Sequence, residues 1–240
     1  VTEVPRSRRE RLRAQTAAEI RAIARRLLEE GGPDAVSLRA IAREMGMTPG
    51  ALYGYYATRD ELVTILIGDV YASLMDAIEA ARDAHPPSDA AGRVLAWAEA
   101  FRTWSVANPQ GFRLVYGDPV LGYQPPPGGP APDAEHRACR GLIGLVATAW
   151  PLLPAHDEAA DHGWDDFAPR LVAEVREAFP DLPPSAVGLA LRVWGRMHGL
   201  VALEVYGHLR AQVRDPAKLY RSEMRDLVAS LGLAPWPATP

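Results

Sequence analysis

Apolar residues recur along this chain at helical spacing, and nowhere do they alternate one-on, one-off over a sustained run. Ile20, Ile23, Ala24, Leu27 and Leu28 make one apolar face within residues 8–31, and Gly31-Gly32-Pro33 stops that helix. Leu38, Ile41, Ala42 and Met45 stand at i, i+3, i+4 and i+7, a shorter second stripe. Residues 59–84 predict a long helix carrying Leu62, Ile65, Leu66, Asp69 and Tyr71, closed by His85-Pro86-Pro87. Further helices are expected from Ser88 to Ala107, from Asn108-Pro109 to about Tyr116, and over 133–153, 166–179, 185–209 and 216–231, the last capped by Asp215-Pro216. Residues 117–132, with the run from Gln124 to Pro130, read as a loop, 155–165 as an acidic loop, and the proline-rich tail as frayed. The expected fold class is all-α.

Residues 37–62 carry the densest local signals. Ser37 is placed to cap the second stripe, its hydroxyl accepting from an otherwise unpaired backbone N–H. Gly46 ends that helix where a left-handed backbone is usually needed. Thr48 is the expected cap of a second short helix, Pro49–Tyr55, with Pro49 taking the first helical position. Leu52 and Tyr56 are spaced to pack back onto the preceding helix, and Thr58-x-x-Glu61 reads as a capping box opening the next one. A helix, a glycine turn and a second short helix make helix-turn-helix geometry. In DNA-binding versions the second helix enters the major groove. The small residues Pro49, Gly50 and Ala51 let that helix end approach a phosphate or base edge, and the hydroxyls of Tyr53 and Tyr55 are suited to phosphate oxygens. The alternative is a plain helical corner. Cap, glycine, proline and capping box all agree along one short stretch, which favours the DNA-reading element.

The run resembles the N-terminal domain of the TetR family of bacterial transcriptional regulators through Ser37, Leu38, Ile41, Ala42, Gly46, Met47, Thr48, Gly50, Leu52, Tyr53, Tyr56, Arg59 and Leu62. The family usually has His-Phe where this chain has Tyr55-Tyr56, and Lys in place of Arg59; both departures preserve the chemistry. The resemblance implies a double-stranded DNA operator as partner. It implies base-edge contact from Arg39, Pro49, Gly50 and Tyr53; an arginine reading guanine bidentately is worth about 1–3 kcal/mol of discrimination. Phosphate positioning falls to Ser37, Thr48, Tyr55, Thr58 and Arg59, with Arg8 as an outlying candidate, while Gly54 has no side chain to contribute. It also implies that the helix over 59–84 links two domains and transmits a signal between them.

At 240 residues the chain has room for such a domain and a larger helical one. A net charge of −4 argues against a general nucleic-acid coat. The distribution matters more. Residues 1–60 hold eleven arginines against eight carboxylates, a balance of +3 that leaves −7 for the remainder. Arg6, Arg8, Arg9, Arg11 and Arg13 form a basic arm suited to phosphate contact, or simply to solvent. Cys139 is alone, so no intramolecular disulfide is possible and a reducing cytoplasm is expected. The N-terminal segment lacks the apolar core of a secretory signal. The longest uncharged stretch, Gly141 to Ala155, is too short to span a bilayer and contains Pro151 and Pro154.

Trp97, Phe101 and Trp104 fall at i, i+4 and i+7 on one helix; Trp150, Trp164 and Trp194 lie elsewhere. Such a stripe is either packed core or the wall of a small-molecule pocket. His198, one turn after Trp194, is a polar anchor for such a pocket, with Arg102, Tyr116 and Tyr123 as weaker ones. The segment from Trp194 to Gly199 resembles the W-x3-H-G signature of one C-terminal subclass of the same family, which implies a helical ligand-binding and dimerisation domain. The candidate ligand-binding residues are Trp97, Phe101, Trp104, Tyr116, Trp150, Trp194 and His198, for a small apolar or aromatic effector held among helices of residues 88–206. A core histidine bonded to a backbone carbonyl is the alternative for His198. Residues 185–209 and 216–231 carry apolar side chains on more than one face, among them Val187, Leu189, Leu191, Val193, Leu200, Val201, Leu203 and Val205. A helix apolar almost all round is buried on both sides, and a second copy of the chain supplies the far side most simply. A two-fold homodimer would read a palindrome with half-sites roughly 34–36 Å apart.

His136 and Cys139, with His156 and His162 nearby, match no recognised metal-ligand spacing. Asp165-Asp166 reads as helix-start charge. There is no glycine-rich phosphate loop after a strand, no nucleophile elbow and no convincing triad, so no enzyme, cofactor or metal is expected. The expected organisation is a DNA-binding domain over 1–58 and a helical effector-binding and dimerisation domain over 59–240. Together they imply a homodimeric repressor, with a ligand-independent regulator and a helical-bundle enzyme as rivals.

Overall fold

The computed structural model describes residues 7–117, 120, 122–153 and 162–233. Arg6 of the basic arm, Pro154, His156, parts of the 117–132 and 155–165 loops, and the tail from 234 onward lie outside the described residues. Among the described residues there are helices and turns and no strand. The helices are α1 (Arg8–Gly31), α2 (Leu38–Met45), α3 (Pro49–Leu52), α4 (Arg59–Asp83), α5 (Ala90–Ala107), α6 (Pro109–Tyr116), α7 (Pro132–Ala149), α8 (Pro169–Ala178), α9 (Pro184–Val205) and α10 (Pro216–Ser230). Tight 3-10 turns occur at Pro33–Ala35, Trp150–Leu152 and Trp164–Asp166.

Local chemistry sets most of these ends. The Ser7 hydroxyl accepts from the Glu10 N–H, and the Glu10 carboxylate accepts in return from the Ser7 N–H, opening α1. Gly32 closes it with φ of 74°. Several ends differ from the sequence expectation, among them that of α7, which stops at Ala149, short of 153, and gives way to the 3-10 turn containing Pro151. Asp89, not Ser88, caps α5: its carboxylate accepts from the Gly92 N–H at 2.8 Å, and a negative acceptor suits the positive helix end better than a hydroxyl. The helix expected from 166 begins at Pro169, whose fixed φ starts α8, while Asp166 instead closes the preceding 3-10 turn by accepting from the Gly163 N–H. α9 stops at Val205, short of 209, because Gly207 turns the chain through a left-handed φ of 81°.

The chain divides into two compact units, Val1–Tyr71 with Asn108–Pro132, and Ala72–Ala107 with Asp133–Pro240. In the first, α1 packs on α2 and α6, and Ile20, Leu28, Ile41, Leu52, Leu62 and Phe112 are buried. In the second, α5 packs on α9 and α10 around Phe101, Val193, Met197, Val201, Tyr220 and Met224. Each fully buried side chain of this size stabilises by about 1.5–3 kcal/mol. α4 is one continuous helix with residues in both units. Its Leu62, Leu66, Val70, Leu74 and Ile78 recur every fourth position, all buried. No helix among the described residues is long and apolar enough to cross a membrane.

Candidate nucleic-acid interface and aromatic cluster

The stripe on α2 does what its spacing predicts: Leu38, Ile41 and Ala42 are buried, while Arg39, Arg43 and Glu44 face solvent. Ser37 caps α2, its hydroxyl accepting from the Ala40 N–H at 3.2 Å. Gly46 closes it at φ 64°, ψ 25°, the left-handed conformation. The chain then turns outward. Thr48, Pro49, Gly50, Ala51, Tyr53 and Gly54 are all exposed, whereas Leu52 is fully buried and Tyr56 is 4 % exposed. Leu52 and Tyr56 are therefore the anchors, and Thr48 to Ala51, Tyr53 and Gly54 are presented to solvent. The Tyr56 hydroxyl donates to the Ala17 carbonyl of α1 at 3.4 Å, and burial pushes its pKa up.

Three details depart from the sequence reading. α3 ends at Leu52, not Tyr55; residues 53–55 form a turn whose N–H groups reach back to Ala51 and Leu52. The run is too short and too rich in glycine to propagate as helix. Thr48 occupies the cap position of α3, but its hydroxyl accepts no capping hydrogen bond. The Thr58–Glu61 pair is shifted by one residue: the Glu61 N–H donates to the Thr58 hydroxyl at 3.0 Å, but the Glu61 carboxylate accepts from Ala57, not from Thr58.

The basic groups divide into two kinds. Arg8 and Arg39 are exposed on α1 and α2. Arg59 is half-buried, and its Nε donates to the Val36 carbonyl at 3.3 Å, so part of this guanidinium serves the fold. Arg13 was visible in the sequence only as one member of a basic arm. In the structure its guanidinium donates to the Gly54 carbonyl at 2.6 Å and lies over the Tyr55 ring, 5.4 Å from the centroid. Tyr55 is half-buried in consequence, unlike Tyr53, which is 57 % exposed.

In the second unit, Phe101, Trp194 and His198 form one aromatic cluster. Trp194 lies 5.2 Å from Phe101 and 5.0 Å from His198, with Phe101 and His198 6.1 Å apart, centroid to centroid. Burial lowers the pKa of His198, because a charged imidazolium is poorly solvated there. Trp97 is one turn before Phe101, buried at 2 % exposure, with the Arg82 guanidinium over its ring. Its indole N–H is buried and has no hydrogen-bond partner among the described residues. Trp104 donates to the Ser73 hydroxyl at 3.3 Å, Trp150 sits in the 3-10 turn after α7, and Tyr116 belongs to the first unit, against Tyr71 and Phe112. Tyr123 also belongs to the first unit, its hydroxyl 2.8 Å from that of Thr64. Arg102 is held by Glu204. His136 faces Glu174 at 3.4 Å, and burial pushes the Cys139 thiol up to about 11.

Two family models match the chain. The one described as bacterial regulatory proteins, tetR family, covers residues 20–64, and the one described as Tetracyclin repressor-like, C-terminal domain, covers residues 94–227. The chain is 34% identical over 227 residues to HTH-type transcriptional regulator Rv1816 of Mycobacterium tuberculosis, covering 91% of this chain and 93% of that protein. HTH-type transcriptional regulator Mb1846 of Mycobacterium bovis is similar to the same extent. Among solved structures, regulatory protein SCO4313 superposes with a TM-score of 0.73 at 34% identity, over 94% of this chain and 100% of that one. A protein from Rhodococcus sp. RHA1 shares the fold with a TM-score of 0.62 at 24% identity, over 88% of this chain and 94% of the other.

Proposed function

The chain belongs to the TetR family of bacterial transcriptional regulators, and from that premise we propose that it is a homodimeric, cytoplasmic repressor released from a palindromic operator by a small apolar or aromatic effector. We keep a functional division at residue 58, with DNA reading before it and effector binding and dimerisation from 59 onward. The observation that carries the DNA-reading part is the outward turn after Gly46, where Tyr53 stands 57 % exposed beside a fully buried Leu52. In this reading Arg39, Pro49, Gly50 and Tyr53 meet base edges, and Ser37, Thr48, Tyr55, Thr58 and Arg59 position the phosphates.

The dimer is supported by the outer face of α9 and α10. Leu191, Leu203 and Leu219 are 49 %, 41 % and 37 % exposed there, and a groove of about 680 Å³ runs between Leu203, Leu219 and the side-chain-free positions Gly195 and Gly199. Arg196, Ser222, Glu223 and Asp226 complete the lining, and a groove with an apolar floor and a charged wall on two adjacent helices suits a second copy related by a two-fold axis. The effector response is supported by the Trp97 N–H, one turn before Phe101 on α5, which is buried and has no partner among the described residues, since such a donor favours a ligand that brings an acceptor. The effector acts by binding one dimer conformer better than another, and the favoured conformer holds its two reading heads wrongly spaced for the operator.

The test is Tyr53→Ala. Its expected outcome is loss of binding to the site the wild-type protein selects from a random DNA pool, with the dimer intact by light scattering. Wild-type affinity in the variant would remove α3 as the reading element.

A further inference from the structure

We propose that Arg13 of α1 is a positioning residue for sequence reading: it fixes the turn after α3, and through that turn the attitude of Tyr53 and Tyr55, instead of acting as one more phosphate contact of the basic arm. The inference rests on the DNA-reading role of α3. α3 is a single turn, Pro49–Leu52, too short to hold its own geometry. The three residues that follow contain Gly54, which has no side chain to lock them. Their inward hydrogen bonds use the carbonyls of Ala51 and Leu52 as acceptors: Gly54 N–H to Ala51 at 3.3 Å, Tyr55 N–H to Leu52 at 2.8 Å, and Tyr56 N–H to Leu52 at 3.0 Å. The Gly54 carbonyl instead takes the Arg13 guanidinium, 41 residues away in sequence, at 2.6 Å. A cation suits this position, because the carbonyl end of a helix carries partial negative charge.

A second, independent contact comes from the same side chain. The guanidinium lies over the Tyr55 ring, 5.4 Å from its centroid, and a planar cation on an aromatic face restrains the ring. Arg13 thus grips both the backbone and one side chain of the turn from α1. It does so without entering the core, since it is itself exposed. A lysine can keep the charge, but its compact ammonium offers no planar face for the Tyr55 ring and no fork to bond the carbonyl at the same time.

The experiment compares Arg13→Ala and Arg13→Lys with wild type. The probes are the duplex that wild type selects from a random-sequence pool and a scrambled duplex of equal composition, each measured across a series of salt concentrations. Positioning predicts that both variants lose about ten-fold on the selected duplex, the scale of one charge-assisted hydrogen bond. It also predicts wild-type affinity for the scrambled duplex, an unchanged salt slope and an unchanged thermal midpoint. A phosphate contact predicts the reverse: Arg13→Lys binds as wild type does, and Arg13→Ala weakens both duplexes alike with a salt slope lower by about one. That pattern overturns the inference and leaves the DNA-reading role of α3 standing. A wild-type protein that selects no sequence from the pool removes the DNA-reading role and this inference together.

Discussion

Glu204 of α9 takes the Arg102 guanidinium of α5 in a fork, with Nε at 2.9 Å and Nη2 at 2.7 Å from its two carboxylate oxygens. Both side chains are largely withdrawn from water, at 12 % and 15 % exposure. The two helices also pack together directly, so the pair clamps a junction beside the aromatic cluster. The buried Tyr220 hydroxyl of α10 donates to the Ala98 carbonyl of α5 at 3.1 Å, and burial raises its pKa.

Breaking one half of the fork leaves the other charge poorly solvated. Glu204→Gln is expected to lower the unfolding free energy by about 2 kcal/mol, less than for a fully buried pair because some water reaches both groups. The double variant Arg102→Met, Glu204→Leu is expected to recover most of that loss, since it removes both charges. Urea denaturation of wild type, Arg102→Met, Glu204→Leu and the double variant checks this as a double-mutant cycle, with Glu204→Gln measured beside it. Equal losses in the single and the double variant would place the effect in packing, not in charge.

Which parts of this were legible in the sequence follows from sequence separation. Ser37, Gly46 and Pro49 act on partners at most a few residues away, so their types and spacing announce the element they build. The outward face of α3 was legible for the same reason: Leu52 and Tyr56 are its anchors and sit one turn apart. The end of α3 was missed although Gly50 and Gly54, which stop the helix, stand in the sequence; what the sequence did not announce is that Arg13 from α1 holds the turn at 53–55. Pairs such as Arg102–Glu204, 102 residues apart, carry no local signal. Tyr116 shows the same limit. Its spacing on α6 marked it as an aromatic near other aromatics, but only the tertiary fold decides that Tyr71 is one of its neighbours.

Leu203 gives the most direct test of the proposed dimer. It is exposed on α9 and lines the groove against Leu219. Leu203→Glu costs little in an isolated subunit, because the position already meets solvent. In a two-fold interface it buries a carboxylate twice. Dimerisation is expected to weaken by about 3 kcal/mol, roughly a hundred-fold in the dissociation constant. Sedimentation equilibrium measures this, and circular dichroism should show unchanged helix content. An unaltered association state would move the interface away from this groove.

His198 makes a prediction about pH. Its folded pKa lies below the ordinary 6.5, so between those two values the unfolded chain binds more protons at this site than the folded one. Stability from this residue is therefore fully present above 6.5 and falls as the solution is acidified through 6.5 towards the lowered folded value. His198→Asn keeps a polar side chain and removes the titration. The difference in unfolding free energy between the two proteins is expected to change across this window and to be flat above it. A difference independent of pH would mean that the imidazole is solvated in both states.

Trp97 separates the packing role of the aromatic cluster from its proposed ligand role. The buried indole N–H has no partner among the described residues, and leaving a buried donor unsatisfied costs about 1–3 kcal/mol. Trp97→Phe removes that donor and also leaves a small cavity, which costs a similar amount in the opposite direction. The two effects oppose, so the unfolding free energy is expected to stay within about 1 kcal/mol of wild type. Effector binding should respond quite differently. A compound whose acceptor takes the Trp97 N–H loses that hydrogen bond in the variant, a loss of about 1 kcal/mol or roughly five-fold in Kd. Thermal-shift titration of both proteins with a panel of aromatic ketones, and with hydrocarbons of matched shape that lack the carbonyl, reads the contrast. The ketones should discriminate wild type from variant, and the hydrocarbons should not. Identical responses from both proteins to both panels would leave Trp97 as core alone.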